Sequence, residues 1–373
     1  NFDAAITVWE EVLDSDHRPS RARARVARTE MLLKLRRIDH RDAIEEYEKL
    51  RFAWRGDKME FDNLRRLGSL YLDEGFYREG LLTLKQAATH FREFEQAPEI
   101  TKQMSDTFNA MFLGNEADAL DPVKAIAIYD EFKELTPAGA RGDEMIRNLA
   151  DKLVQVDLLD RAASLLKAQV QFRLEGEQKA QVGARLALIY ALAEEFQPAL
   201  EVLDGTDVPN LPPEMAAQRR HLRAQVLAGL NRSGDALALL ADDESENAEL
   251  LRTEIYWKNA DWREAAKSLR LLVKLSGAKA YEPVDDVQAT RLINYAIALT
   301  NAGGERAVSQ IKSEFGPAMA RTKFAEAFEL VTTPATVGML APERVTAKVQ
   351  EAETFLTAYR DKLKEGVPLS SLN

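Results

Sequence analysis

Cysteine is absent from all 373 residues. That removes disulfides, iron–sulfur clusters, thiolate nucleophiles and every zinc site that needs sulfur. Glycine and proline are scarce, at 18 and 13 residues, where an average chain carries about 12% of the two together. A chain so poor in turn formers is expected to be mostly helical. Long apolar runs are also missing. Stretches such as Leu186–Ala193 fall far short of the roughly 18 residues that a membrane helix needs. Basic residues are outnumbered, 50 Lys and Arg against 61 Asp and Glu, for a net charge of −11. This argues against non-specific nucleic-acid binding, which draws its affinity from phosphate neutralisation.

What is present is a repeat. Leu64, Leu67, Gly68 and Tyr71 fall at i, i+3, i+4 and i+7, one face of a helix. Gly75 breaks the chain, and a second periodic segment follows with Gly80, Leu84 and Ala87. This is a helical hairpin in which a small residue early in the second helix lets two backbones approach. Small residues open further second helices at Ala5, Ala43, Gly80, Ala125, Ala162, Ala199, Ala236, Ala265 and Ala307. Their spacings are 38, 37, 45, 37, 37, 37, 29 and 42. A large apolar residue recurs four positions after most of them: Tyr47, Leu84, Tyr129, Leu166, Leu203, Leu240 and Leu269.

The spacing of Leu64, Leu67, Gly68, Tyr71, Gly75, Gly80, Leu84 and Ala87 resembles the tetratricopeptide repeat. Asp261–Ala265 resembles the turn between that family's two helices, and Pro137 matches its closing proline. The common step of 37 exceeds the family's roughly 34 residues, so the repeats are divergent. The resemblance implies an all-α fold: a right-handed α-solenoid of about eight stacked hairpins with a concave binding groove and no catalysis of its own. It extends over residues 1–316. Residues 317–373 are expected to hold terminal helices. In the last of these Val345, Val349, Ala352, Leu356, Tyr359 and Leu363 form one apolar stripe between Pro342 and Gly366. That helix is expected to cap the solenoid, whose core would otherwise be open. The long steps hold insertions at 114–122 and 276–286. The first residues look like the second half of a hairpin, so Asn1 is expected not to be a native translation start.

Chemistry is hard to find. The four histidines, His17, His40, His90 and His221, make no metal-binding pair along a helix. No nucleophile elbow, phosphate loop or dinucleotide fingerprint occurs. The run Asp242–Glu246 lacks the glycine and terminal glutamate of a calcium loop and reads as a solvated turn with a helix cap. Trp9, Trp54, Trp257 and Trp262 follow the repeat and read as packing residues. No enzyme activity, metal or cofactor is expected.

One charge feature stands apart. Residues 18–37 hold Arg18, Arg21, Arg23, Arg25, Arg28, Lys34, Arg36 and Arg37 against the single acid Glu30, and Arg65 and Arg66 follow in the next repeat. Two readings stay open. One is a solvated face whose stems pack on neighbours. The other is a basic groove, with Arg25, Arg28, Arg36, Arg65 and Arg66 gripping an acidic peptide or protein segment. The register is awkward, because counting back from Ala43 puts Glu30 at a position that should be apolar. The function expected is a protein-interaction scaffold within a longer protein or assembly. An architectural spacer and a polyanion-binding module at 18–37 are the alternatives. The compartment stays open.

Overall fold

Short polar side chains start many of the helices. Asp39 accepts from the Asp42 N–H, and the Asp42 carboxylate returns a bond to the Asp39 N–H. Asp285 and Gln288 do the same. Asp57, Asp121 and Ser245 each accept from N–H groups of the first turn. These bonds satisfy donors that a helix start leaves without intrahelical partners.

The computed structural model describes residues 2–114 and 121–333. Among them are eighteen α-helices and no strand. In order these are α1 Phe2–Leu13, α2 Arg18–Lys34, α3 His40–Ala53, α4 Lys58–Asp73, α5 Tyr77–His90, α6 Ala97–Leu113, α7 Pro122–Phe132, α8 Ala140–Gln155 and α9 Leu159–Phe172. Then come α10 Gly176–Leu192, α11 Phe196–Gly205, α12 Pro213–Gly229, α13 Ser233–Leu240, α14 Glu246–Lys258, α15 Trp262–Leu275, α16 Asp286–Asn301, α17 Glu305–Met319 and α18 Ala325–Thr332. Every small-residue marker lies on an odd-numbered helix. From Ala43 to Ala265 all seven are buried. The fold is thus a succession of helical hairpins, an α-solenoid, with even-numbered first helices and odd-numbered second helices. The expected capping helix at 342–366 and the insertion residues 115–120 lie outside the described residues.

Seven hairpin turns share one device. Arg36, Gly75, Asp157, Glu194, Asn231, Ala260 and Gly303 all take a left-handed φ, between +55° and +77°. The next N–H then reaches back five residues to a carbonyl of the first helix. Phe76 N–H donates to Tyr71 O and Asp261 N–H to Tyr256 O, both at 2.8 Å. This is the Schellman closure, which satisfies the last carbonyls of a helix. Five of the seven left-handed residues are not glycine, which is how so glycine-poor a chain turns so often.

The chain divides into two compact units, residues 1–149 and 150–373. In the first, α4 and α5 cross at two glycines. A Cβ on Gly68 would stand 2.6 Å from the Leu84 side chain, and one on Gly80 would stand 2.5 Å from Leu72. Tyr47, Leu50, Leu67 and Leu70 fill the space beside them. Phe108 and Phe112 pack on Tyr129 to join α6 with α7. In the second unit α10 touches α12, α12 touches α14, and α16 touches α18. First helices therefore form a row of their own. Phe328 of α18 is buried in the apolar cluster of α15, α16 and α17. The expected boundary at 316/317 falls inside α17.

Candidate partner-binding face

The left-handed turn residue supplies a structural register for the first helices. Six residues ahead of it stand Glu30, Ser69 and Asp151. Nine residues ahead stand Arg66 and Arg185. These two places meet across neighbouring first helices. Arg66 donates to both oxygens of Glu30, at 2.7 and 3.2 Å, joining α4 to α2. Gln103 donates to Ser69 Oγ at 3.0 Å, joining α6 to α4. Arg185 pairs with Asp151 at 2.7 Å, joining α10 to α8. A polar ladder of two rungs therefore joins first helices of the first unit, and a single rung recurs in the second, where the later places hold Leu188, Leu222 and Leu251.

This register corrects the one counted from Ala43. Arg36 precedes Ala43 by seven residues, whereas Gly75 precedes Gly80 by five. The α2–α3 turn is two residues longer, and α2 shifts accordingly. Glu30 aligns with Ser69, a polar ladder position, and Thr29, at 1% exposure, takes the packing place of Gly68. Glu30 also accepts from the Tyr47 hydroxyl. Burial, and then this bond to a carboxylate, push the Tyr47 phenol well above its usual range. Burial and a bond to Glu48 push Tyr71 up to about 12.

The five candidate arginines separate. Arg25 donates to Glu46 of α3 at 2.6 Å, and Arg28 grips Glu10 of α1 through two nitrogens. Arg66 belongs to the ladder. Arg36 is an exposed turn residue and Arg65 an exposed residue of α4. Their side chains have no hydrogen-bond or ion-pair partner among the described residues. Of the remaining cations in 18–37, Arg37 pairs with Asp3 and Arg18 donates to Ala53 O.

Another group of side chains is buried, and sequence reading missed it. Twelve residues ahead of the turn stand Asn63, Arg219 and Arg291. Each donates to a carbonyl of the preceding second helix: Arg219 to Leu203 O and Arg291 to Leu272 O near the helix end, and Asn63 to Tyr47 O in the middle of α3. Arg219 also reaches Ala180 O at 2.5 Å and Thr206 Oγ1 at 3.2 Å. Arg252 serves Leu240 O in the same way from a neighbouring position. The sequence signal was an arginine at the same distance from two turns, and it could be found only once the turns were known.

The acidic run 242–246 is less solvated than its composition suggests. Ser245 does cap α14. Asp243, however, is largely covered and accepts from Arg220 and His221, each at 2.8 Å. Its bond to Ser245 and the pair with Arg220 hold its carboxyl far below the usual range. His17 caps α2. Trp257 and Trp262 pack edge to face at 5.1 Å, as packing residues. Among the described residues no group of three His, Asp or Glu side chains could hold a metal ion, and no helix is long and apolar enough to cross a membrane.

No family model matches the chain, and no curated protein matches it in sequence. Among solved structures it resembles a chain in one described as "Structure of Naa15/Naa10 bound to HypK-THB". The identity is 17% and the TM-score 0.46, over 92% of this chain and 47% of that one. This chain thus spans about half the length of the protein it matches.

Proposed function

We propose that the chain is a non-enzymatic interaction scaffold, one part of a longer protein or assembly, in which each unit holds a protein segment along its own row of first helices. One observation carries this. Ten residues ahead of the turn stand Val26, Arg65 and Arg147 in the first unit and Ala184, His221 and Leu250 in the second, all partly or wholly exposed. Val26 and Leu250 also pack on apolar clusters, and the last turn has the buried Ile293 there. The packing markers repeat one chemistry. This place repeats in position and varies in character. Such a surface reads a partner residue by residue, whereas a spacer has no use for the variation. Arg65, unpaired among the described residues, is placed to bind an acidic side chain of the partner bidentately. Half of the cations in 18–37 are already engaged, which favours a protein partner over a polyanion.

The test uses the full-length protein with Arg65→Glu in the first unit and Ala184→Glu in the second, singly and together. The expected result is stepwise loss of one saturable protein partner with little change in melting temperature. Full recovery of that partner by the double variant would refute the proposal. Absence of any saturable partner would return the chain to the spacer reading.

A further inference from the structure

The second helices mostly show water a mixed or acidic face. The exposed residues of α11 include Glu201 and Asp204, and those of α13 include Asp235. The outward face of α15 differs. Arg263, Lys267, Arg270 and Lys274 recur at steps of 4, 3 and 4 and are all exposed. That spacing lines up four cations in one stripe. Lys267 alone is paired, with Glu264. Arg263, Arg270 and Lys274 have no hydrogen-bond or ion-pair partner among the described residues. Leu271 and Leu275, at 39% and 47% exposure, form a second stripe beside the first.

The loop that follows adds an aromatic ring. Tyr281 is 72% exposed, yet its backbone is held in the left-handed region at φ +66°, which bulky residues seldom adopt. Its N–H is tied to Glu314 O of α17 at 2.9 Å. The acids around it are all engaged. Glu282 pairs with Lys279, Asp286 with Lys323, Asp285 caps α16, and Glu314 accepts from Gln310. Asp285 and Glu314, bonded to neutral donors, keep their charge, but α15 itself carries four cations against the single acid Glu264, inside a chain of net charge −11.

We propose that the outward face of α15 is a second docking surface, and that its occupant is an acidic amphipathic helix of a protein partner. Carboxylates on that helix would meet the cation stripe, and its aliphatic side chains would cover Leu271 and Leu275. This surface lies on a second helix of a hairpin, outside the first-helix row, so its test is independent of the function proposed above.

The probe is a fluorescein-labelled synthetic helix of roughly 20 residues, with leucines at i, i+3, i+4 and i+7 and glutamates elsewhere. It is titrated into the whole chain and followed by anisotropy. The expected result is saturable binding that weakens with salt. Binding should fall about tenfold or more in Arg270→Glu/Lys274→Glu, and again in Leu271→Ser/Leu275→Ser. Arg65→Glu should leave it unchanged, whereas a peptide with glutamines in place of its glutamates should fail to bind. Unaltered affinity in both double variants would overturn the proposal. So would binding to phosphatidylserine vesicles with none to the peptide.

Discussion

Arg219→Met should destabilise the second unit although it touches no proposed binding surface. The guanidinium is 5% exposed and holds three oxygens: Ala180 O, Leu203 O and Thr206 Oγ1. Ala180 lies within α10, but Leu203 O belongs to the last turn of α11. There the Thr206 N–H goes to Val202 O and the Asp207 N–H to Asp204 O. Methionine would keep the apolar stem and leave Leu203 O buried without a donor, at a cost of roughly 1–3 kcal/mol. Loss of the other two bonds adds to this. Relief of a buried cation offsets part of it, since burial already disfavours the charged guanidinium. The net expectation is about 2 kcal/mol for Met, and about 3 kcal/mol for Ala, which also opens a cavity. The chain has two units, so a single melting curve is a poor gauge. Amide exchange across α11 and α12 reads the site directly, and about 2 kcal/mol appears there as roughly 30-fold faster opening. The control is Arg220→Met. That side chain is 41% exposed with one ion pair to Asp243, and the change should cost under about 1 kcal/mol. Equal exchange in Arg219→Met and Arg220→Met would refute the capping argument.

Three further outcomes follow from the same structure. Ala260 is exposed and left-handed at φ +57°, so Ala260→Gly should hold or raise the melting temperature. Ala260→Val should lower it by the equivalent of about 1 kcal/mol or more. Gly80→Val should cost about 2 kcal/mol in denaturant midpoint, because its Cβ would stand 2.5 Å from Leu72 and 3.1 Å from Gly68 O. Asp243→Asn should weaken the chain at neutral pH. The folded carboxyl titrates below its unfolded value of about 3.9, so its stabilisation is complete above that pH and fades as pH falls toward the folded value. Stability curves of the variant and the wild type should converge in acid, and a gap that widens below pH ~4 would contradict the assignment.

Much of the fold is legible in local pattern. Small residues and the apolar residue four positions on place the second helices, because both face one neighbouring helix at a fixed period. Gly68 and Gly80 announce a close crossing. The turns are harder to see, because Arg36, Asp157, Glu194, Asn231 and Ala260 adopt the left-handed region without glycine's composition signal. The length of the α2–α3 turn then escaped notice, and Glu30 looked misplaced. Arginine is equally ambiguous. Periodicity assigns it to water, yet Arg219 and Arg291 are buried by helix ends far away in sequence. The partners of Arg28 and Arg37 lie in α1, beyond any local window, so the density of charge in 18–37 overstated what a partner could reach.

The central claim is that the first-helix row of each unit is the surface that holds a partner. Site-specific photo-crosslinking tests it most directly, with benzoylphenylalanine at Arg65 in the first unit's row or Ala184 in the second's, and at Gln171 or Ser309 on the outward faces of second helices. The account predicts that a protein partner is captured from Arg65 and from Ala184 and not from Gln171 or Ser309. Capture of that partner from the second helices alone would contradict it.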